Sequence, residues 1–341
     1  MGMALASTPD AQSGATLASM KLQERPVTTA ESTTTATAIS TADLSKRYGE
    51  GTLALDQLTL TVETGEIFGF LGPNGAGKTT MIRLLMDLIR PTGGSASVFG
   101  LDCQKDALAV RGLVGYLPGE LSLYKDRSAR KHIDLVSDLR PGQIDRDYVD
   151  ELCTRLNVDL DTPVGRLSHG NRQKVGFVVA LMAKPRLLIL DEPTSGLDPL
   201  AQHEALEVLR EARAAGQTVF FSSHYLPEVE RICDRVAIIR QGKLMAVESV
   251  DALTTRALHT VHVELAEPAG NDGFMGLEGV RRVEMGDGDR VLTFEVAGDL
   301  DPLIKALAAH HVVSLEAQRP TLEDAFLEYY GSEANAEAEH A

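Results

Sequence analysis

The residues with chemistry to offer fall in a few short runs. "GPNGAGKT" at 72–79 sets three glycines, a lysine and a threonine in the phosphate-loop pattern, between an apolar run and a helical one. Gly72, Gly75 and Gly77 let the backbone curl until its N–H groups converge on an anion, Lys78 adds positive charge, and Thr79 offers an oxygen to magnesium. The ligand such a loop suits is a nucleoside triphosphate, which several unrelated enzyme classes require. "LLILDE" at 187–192 ends an apolar run on Asp191 and Glu192. The first carboxylate can hold magnesium through water, and the second can orient a water for attack on phosphorus. His224, in "FFSSHYLPE", ends another apolar run and, in the same sheet, reaches the γ-phosphate from the side.

Three further runs join these. In "LSHGNRQK" at 167–174, Ser168, His169, Gly170 and Asn171 are residue types that begin a helix and leave its first N–H groups free to face an anion. Asp198, in "DEPTSGLDP", precedes Pro199 and by itself would cap the helix that Pro199 begins. Tyr48, in "KRYGEG", either stacks on an adenine ring or stands as an exposed loop tyrosine.

To bring these groups together, several strands must end at one sheet edge. "GEIFGFLGPNGAGKTTMIRLLMDLI" reads as strand, Gly-rich turn and helix, with Ile82, Leu85, Met86 and Ile89 at helical spacing. Strand signals recur at "RLLILDEP", "QTVFFSS" and "DRVAIIRQGKLMAVES", with a helical run over 202–215 between the first two. That alternation predicts a parallel sheet covered by helices. Upstream, "AISTADLSKRYGEGTLALDQLTLTVETGEIFGFLG" alternates in short runs, as strands at a sheet edge do. From Ser128 to Ala183 the pattern is helical, with "SARKHIDLVSDLR", "DYVDELCTRLNV" and "RQKVGFVVALMA" as an insert. Beyond about residue 258, strands "TVHVELA", "VRRVEM" and "RVLTFEVA" and helical "LDPLIKALAAH" and "TLEDAFLEYY" predict a small α+β unit. "GDGD" at 286–289 is its hairpin turn.

The expected layout is a disordered tail over 1–37 and an α/β domain over 38–258, with a mixed sheet core and a helical insert at about 125–185. An accessory α+β unit over 259–330 and an acidic tail over 331–341 follow. With 43% hydrophobic and 24% charged residues the composition is that of a globular protein. The longest apolar run, Val175–Ala183, is far short of the roughly 20 residues that span a bilayer. The first 37 residues lack the basic start and apolar stretch of a signal peptide, so the expected place is the cytoplasm. Cys103, Cys153 and Cys233 are scattered outside any metal-ligand spacing and read as reduced thiols. The net charge is −16, and residues 260–341 hold 17 acidic against 5 basic residues, a surface that repels nucleic acid and anionic lipid.

Taken in order, "GPNGAGKTT", "LSHGNRQK", "LLILDEPTSGLD" and "SSH" resemble the ATP-binding cassette ATPases, the nucleotide-hydrolysing subunits of ABC transporters, over about residues 38–258. The resemblance implies a P-loop ATPase cassette that takes ATP and magnesium. It implies that Gly72, Pro73, Asn74, Gly75, Ala76, Gly77, Lys78, Thr79 and Thr80 hold the phosphates, with Asp198 nearby, and that Tyr48 is the adenine platform. Thr79 and Asp191 would serve magnesium, Glu192 would be the catalytic base, and His224 and Lys78 would contact the transferring phosphate. "LSHGNRQK" is similar to the family signature, usually LSGGQ, which faces a partner's nucleotide; Ser168 and Gly170 are the matching residues. The implied partners are a second ATPase subunit, as a homodimer, and a separately encoded membrane permease that holds the chain on the inner face of the membrane.

Two positions depart from that pattern. His169 replaces a signature glycine but leaves Ser168 and Gly170 in place. In "GYLPGELSLY", Gly119 stands where the family usually has a glutamine that senses nucleotide; either Glu120 substitutes one residue later or the loop merely docks. "RPTLEDAFLEYY" is similar to the ending of cassette subunits in bacterial drug and antibiotic exporters, so the implied cargo is a drug-like or lipophilic compound. Two other readings share the motifs. Non-transport ATPases acting on nucleic acid or ribosomes are disfavoured by the single motif set, the 90 residues from Lys78 to Ser168, and the acidic end. An importer ATPase with a C-terminal regulatory sensor is the other.

Overall fold

The computed structural model describes residues 36–140, 144–256, 258–269, 273–286, 288–318 and 321–323. Apart from residues 36 and 37, the expected tails lie outside these residues, as does most of "TLEDAFLEYY". The chain opens with β1 (Thr37–Arg47) and β2 (Leu53–Glu63), an antiparallel pair. In β2, Leu58, Leu60 and Val62 are buried while Gln57, Thr59 and Thr61 are exposed, the period-two pattern of a sheet wetted on one face. Next come β3 (Ile67–Leu71), α1 (Lys78–Leu85), β4 (Gly93–Val98), β5 (Leu101–Asp102), α2 (Ala107–Leu113) and β6 (Val114–Leu117). Strands β1, β2, β4 and β5 form one four-stranded sheet.

The expected helical insert follows as α3 (Ala129–Leu139), α4 (Arg146–Arg155) and α5 (His169–Leu181). Asp145 caps α4 by accepting the Tyr148 N–H, and Ser168 caps α5 by accepting the Asn171 N–H. The core then resumes with β7 (Leu187–Asp191), α6 (Pro199–Ala214), β8 (Thr218–Ser223), α7 (Leu226–Ile232), β9 (Arg235–Arg240), β10 (Lys243–Ser249) and α8 (Val250–Arg256). Arg155 of α4 ties the insert to α6 through Glu204 at 2.5 Å and a two-pronged contact to Glu211 at 2.6 and 2.9 Å.

The central sheet runs β10-β9-β3-β8-β7-β6, and every neighbouring pair except β10 with β9 is parallel. Strands β3, β7 and β8 are buried on both faces, which is why "IFGFL", "LLIL" and "VFF" within them read as continuous apolar runs. Phe68, Phe70, Leu187, Ile189 and Phe220 pack on one side with α1 and the β1–β2 pair. Ile67, Leu71, Leu188, Leu190, Val219 and Phe221 pack on the other with α5, α6 and α7. Each fully buried phenylalanine here stabilises the layer by about 1.5–3 kcal/mol. Among the described residues, no helix is long and apolar enough to cross a membrane.

Beyond residue 258 lie β11 (His259–Leu265), β12 (Val280–Gly286), β13 (Val291–Val296), α9 (Asp301–Leu307) and β14 (Val312–Gln318). They form a second antiparallel sheet, β12-β13-β11-β14, around a separate core that includes Val261, Val263, Phe274, Leu292, Phe294 and Leu303. Gly286 at the end of β12 pairs with Val291 at the start of β13, so the chain reverses between them at the expected hairpin; Asp287 of "GDGD" lies outside the described residues. Strand β14 was not among the strands expected from the sequence. The chain then returns to the core of the central sheet: Leu322 is fully buried in the cluster that includes Val229 and Ile232 of α7, and its N–H donates to the Glu230 carboxylate at 3.0 Å.

Candidate active site

Strands β3, β8 and β7 are parallel neighbours, so their carboxyl ends share one edge. Leu71 is in register with Ser223, and Asp191 with Ser222. Gly72, Glu192 and His224 therefore leave the sheet side by side. The phosphate loop bridges β3 to α1, and its last turn demands glycine. Gly77 has φ +113°, and a Cβ there would lie 2.5 Å from the Ala54 carbonyl oxygen. Gly77 caps α1 without a side-chain bond, leaving the first N–H groups of the helix open.

A cleft of about 360 Å³ is lined by Asn74, Gly75, Gly77, Lys78, Thr79 and Thr80, together with Thr52, Leu53, Ala54, Glu192 and Gln241. Gly72, Pro73 and Ala76 frame the loop instead of lining the cleft: Ala76 donates to the Pro73 carbonyl at 3.2 Å, and Lys78 Nζ donates to the Gly72 and Pro73 carbonyls at 2.7 and 3.2 Å. Tyr48 is 43% exposed and does not line the cleft; its loop delivers Thr52 to Ala54, with Lys46 Nζ 5.3 Å from the ring centre. Nothing in the residue types of Thr52–Ala54 or Gln241 pointed to this role. They arrive because Gly242, after Gln241, donates to the Ala76 carbonyl at 2.9 Å and accepts from the Asp56 N–H at 2.9 Å.

The two carboxylates differ. Asp191 is buried, accepting from Thr79 Oγ1 at 2.9 Å and from Ser222 Oγ at 2.5 Å. A hydroxyl and a carboxylate set together make the hard oxygen donors magnesium takes alongside phosphate, so Thr79 and Asp191 fit that ion. Glu192 is partly exposed, and its Oε1 lies 3.0 Å from His224 Nδ1 and 3.7 Å from Lys78 Nζ. Burial pulls the Lys78 ammonium below its usual range, opposed by the charges of Glu192 and Asp191. The arrangement gathers a cation, a carboxylate and an imidazole around one edge.

Ser168 and Gly170 stand at the start of α5, and neither lines the cleft. This end of α5 is wedged against the "SGLD" turn: a Cβ on Gly170 would lie 2.3 Å from the Gly196 carbonyl oxygen, and the His169 ring crosses Gly196. Asp198 caps α6 by accepting the Ala201 N–H at 2.9 Å, and it pairs with buried Lys174 at 3.6 Å. Gly119 passes close to Asp191, where a Cβ would be 3.0 Å from Oδ2; Glu120 lines a neighbouring cleft with Arg172 and Gln173.

Sequence reasoning missed Glu228. On α7, this buried carboxyl accepts from Thr194 Oγ1 and Ser223 Oγ, joining the turn after Glu192 to the strand end before His224. Burial pushes its pKa above the ordinary 4.5, against those two hydrogen bonds. A carboxyl raised in the folded state subtracts stability as pH climbs from the unfolded value to the folded one, and the loss persists above that window. Glutamine can serve both hydroxyls without charge. A Glu228→Gln chain is expected to melt above wild type at pH 8, the gap closing as pH falls toward 4.5. Thermal melts across pH check this; a gap independent of pH would remove titration of Glu228 as its cause.

Comparison with known proteins agrees with this geometry. A family profile described as ABC transporter matches residues 55–195. The bacitracin transport ATP-binding protein BcrA of Bacillus licheniformis is 37% identical over 234 residues, 68% of this chain and 76% of the relative. The daunorubicin resistance ATP-binding protein DrrA3 of Streptomyces coeruleorubidus is 32% identical over 308 residues, 87% of this chain and 97% of the relative. A solved ATP-binding subunit of an ABC transporter superposes with TM-score 0.58 at 30% identity, over 63% of this chain and 91% of that one. With its phosphate loop, strand-end carboxylates and signature helix on an α/β cassette, the chain belongs to the ATP-binding subunits of ABC transporters, an ATPase family.

Proposed function

We propose that two copies of this chain clasp each ATP between them and that its hydrolysis drives a separate membrane permease. One observation carries the reading. The cleft is lined by the phosphate loop, residues 52–54, Glu192 and Gln241, with nothing from α5, so one copy offers the triphosphate a single wall. Ser168 is exposed and Gly170 partly so at the start of α5, where a hydroxyl and the dipole of the helix end suit an anion held by another copy. Gly72 to Thr80 cradle the phosphates, with Lys78 as the cation, and Tyr48 stacks on the adenine. Magnesium, taken by Thr79 and Asp191, would supply neutralisation of the charge that develops on the γ-phosphate. Glu192 accepts the proton of the attacking water, and His224 orients Glu192 and meets the γ-phosphate.

A separate permease is supported by relatives named for transport and drug resistance; among the described residues, no helix is long and apolar enough to cross a membrane. Those names also support export of a drug-like or lipophilic compound, with the chain peripheral on the inner face of the membrane. Affinity purification of the tagged chain from solubilised membranes is expected to bring down one multi-span protein in fixed ratio. Recovery of ribosomes or nucleic acid instead, with tight and salt-sensitive anisotropy on duplex DNA or RNA, would move the chain to the non-transport class.

A further inference from the structure

Glu192 has φ +50°, a conformation that residues bearing a Cβ hold only where their surroundings enforce it. Two side chains do so. Ser222 Oγ on β8 accepts the Glu192 N–H at 3.1 Å. Gln173 on α5 donates from Nε2 to the Glu192 carbonyl at 3.1 Å and toward the Pro193 carbonyl at 3.4 Å. These partners fix the orientation of the amide, because turning it over would set Oε1 against two carbonyl oxygens.

Gln173 is only 2% exposed, and its Oε1 has no hydrogen-bond partner among the described residues. A buried, unpaired acceptor costs free energy that a methionine or leucine of similar volume would avoid. Packing therefore does not account for a glutamine here; the donated bonds do. The position is also telling. Gly119 brings no side chain to the acidic pair, whereas Gln173 reaches it from one turn beyond His169 and Gly170.

We infer that Gln173 is a positioning residue. By clamping the Glu192 and Pro193 carbonyls, it holds the Glu192 carboxylate toward His224 and Lys78 and ties that alignment to the helix whose start meets the partner's nucleotide. This rests on the reading of Glu192 as the base. A shift of α5 when two copies close is passed through the Gln173 amide to the strained turn.

In the full-length chain, Gln173→Met is expected to lower kcat roughly 10- to 100-fold, the scale of a small misplacement of a reacting group. KM for ATP should be unchanged, and the melting temperature close to wild type, because removal of the orphan acceptor offsets the loss of the two donated bonds. Gln173→Leu, measured alike, guards against an idiosyncrasy of one substitution. Adding Gln173→Met to a Glu192→Gln chain should change the residual turnover no further, since there is no base left to align. Unchanged kcat in both variants, a joint fall in melting temperature and rise in KM, or an equal further loss in the double variant would each overturn the inference. If Glu192→Gln itself turned over like wild type, the base reading would fail instead, so the two failures are distinct.

Discussion

Replacing Glu192 with glutamine is expected to slow ATP turnover by about 10²–10⁴-fold, the usual worth of a positioned general base, while ATP stays bound. The amide matches the carboxylate in shape and keeps a contact for His224, now at 3.0 Å from Oε1, so the edge of the sheet is undisturbed. It cannot take a proton from water. Two chains that have closed on ATP then have no quick way to reopen, and the variant should accumulate as an ATP-loaded dimer. Size-exclusion chromatography with light scattering, run with and without ATP and magnesium, reads this directly. Wild-type turnover by the variant would remove Glu192 from the chemistry.

Gly170→Val probes the other half of the proposed clasp. A first side-chain carbon there would sit 2.3 Å from the Gly196 carbonyl oxygen, a backbone atom that cannot swing aside. The start of α5 must lift from the "SGLD" turn, at about 1–3 kcal/mol of stability by overpacking. Gly170 does not line the cleft of its own chain, so nucleotide affinity of the isolated chain should be unaltered. Dimer formation on ATP should vanish, and kcat/KM should drop by about 10²-fold or more, as misplaced contacts do. Fluorescent-nucleotide titration and turnover measured against protein concentration separate the two effects. A strictly monomeric preparation that hydrolysed ATP at full speed with Gly170 and Ser168 both altered would defeat the shared-nucleotide reading.

The residues that carry charge or special backbone geometry were legible from the sequence, because their type is the signal. Gly77 has to be glycine, Lys78 and Asp191 are charged residue types beside a glycine-rich turn and at a strand end, and the interiors of β3, β7 and β8 are apolar since water reaches neither face. Other parts were opaque for a physical reason. In β14 every residue after Val312 is exposed, so "VVSLEAQ" has no buried alternation to display. Gln173, Ser222 and Glu228 are ordinary polar residues in composition; their importance comes from reaching across from α5, β8 and α7, which only tertiary packing supplies. Leu322 looked like part of the accessory unit because it follows that unit in the chain.

Its burial beside α7 has a bearing on how the protein is made. A ribosome releases the chain from its N-terminus, and domains ordinarily fold as they emerge. Here the ATPase layer lacks one of its own interior side chains until residues 259 to 318 have been synthesised and the following segment has doubled back. A nascent cassette therefore stays without the Leu322 side chain at the helix after His224 until residue 322 itself has been made.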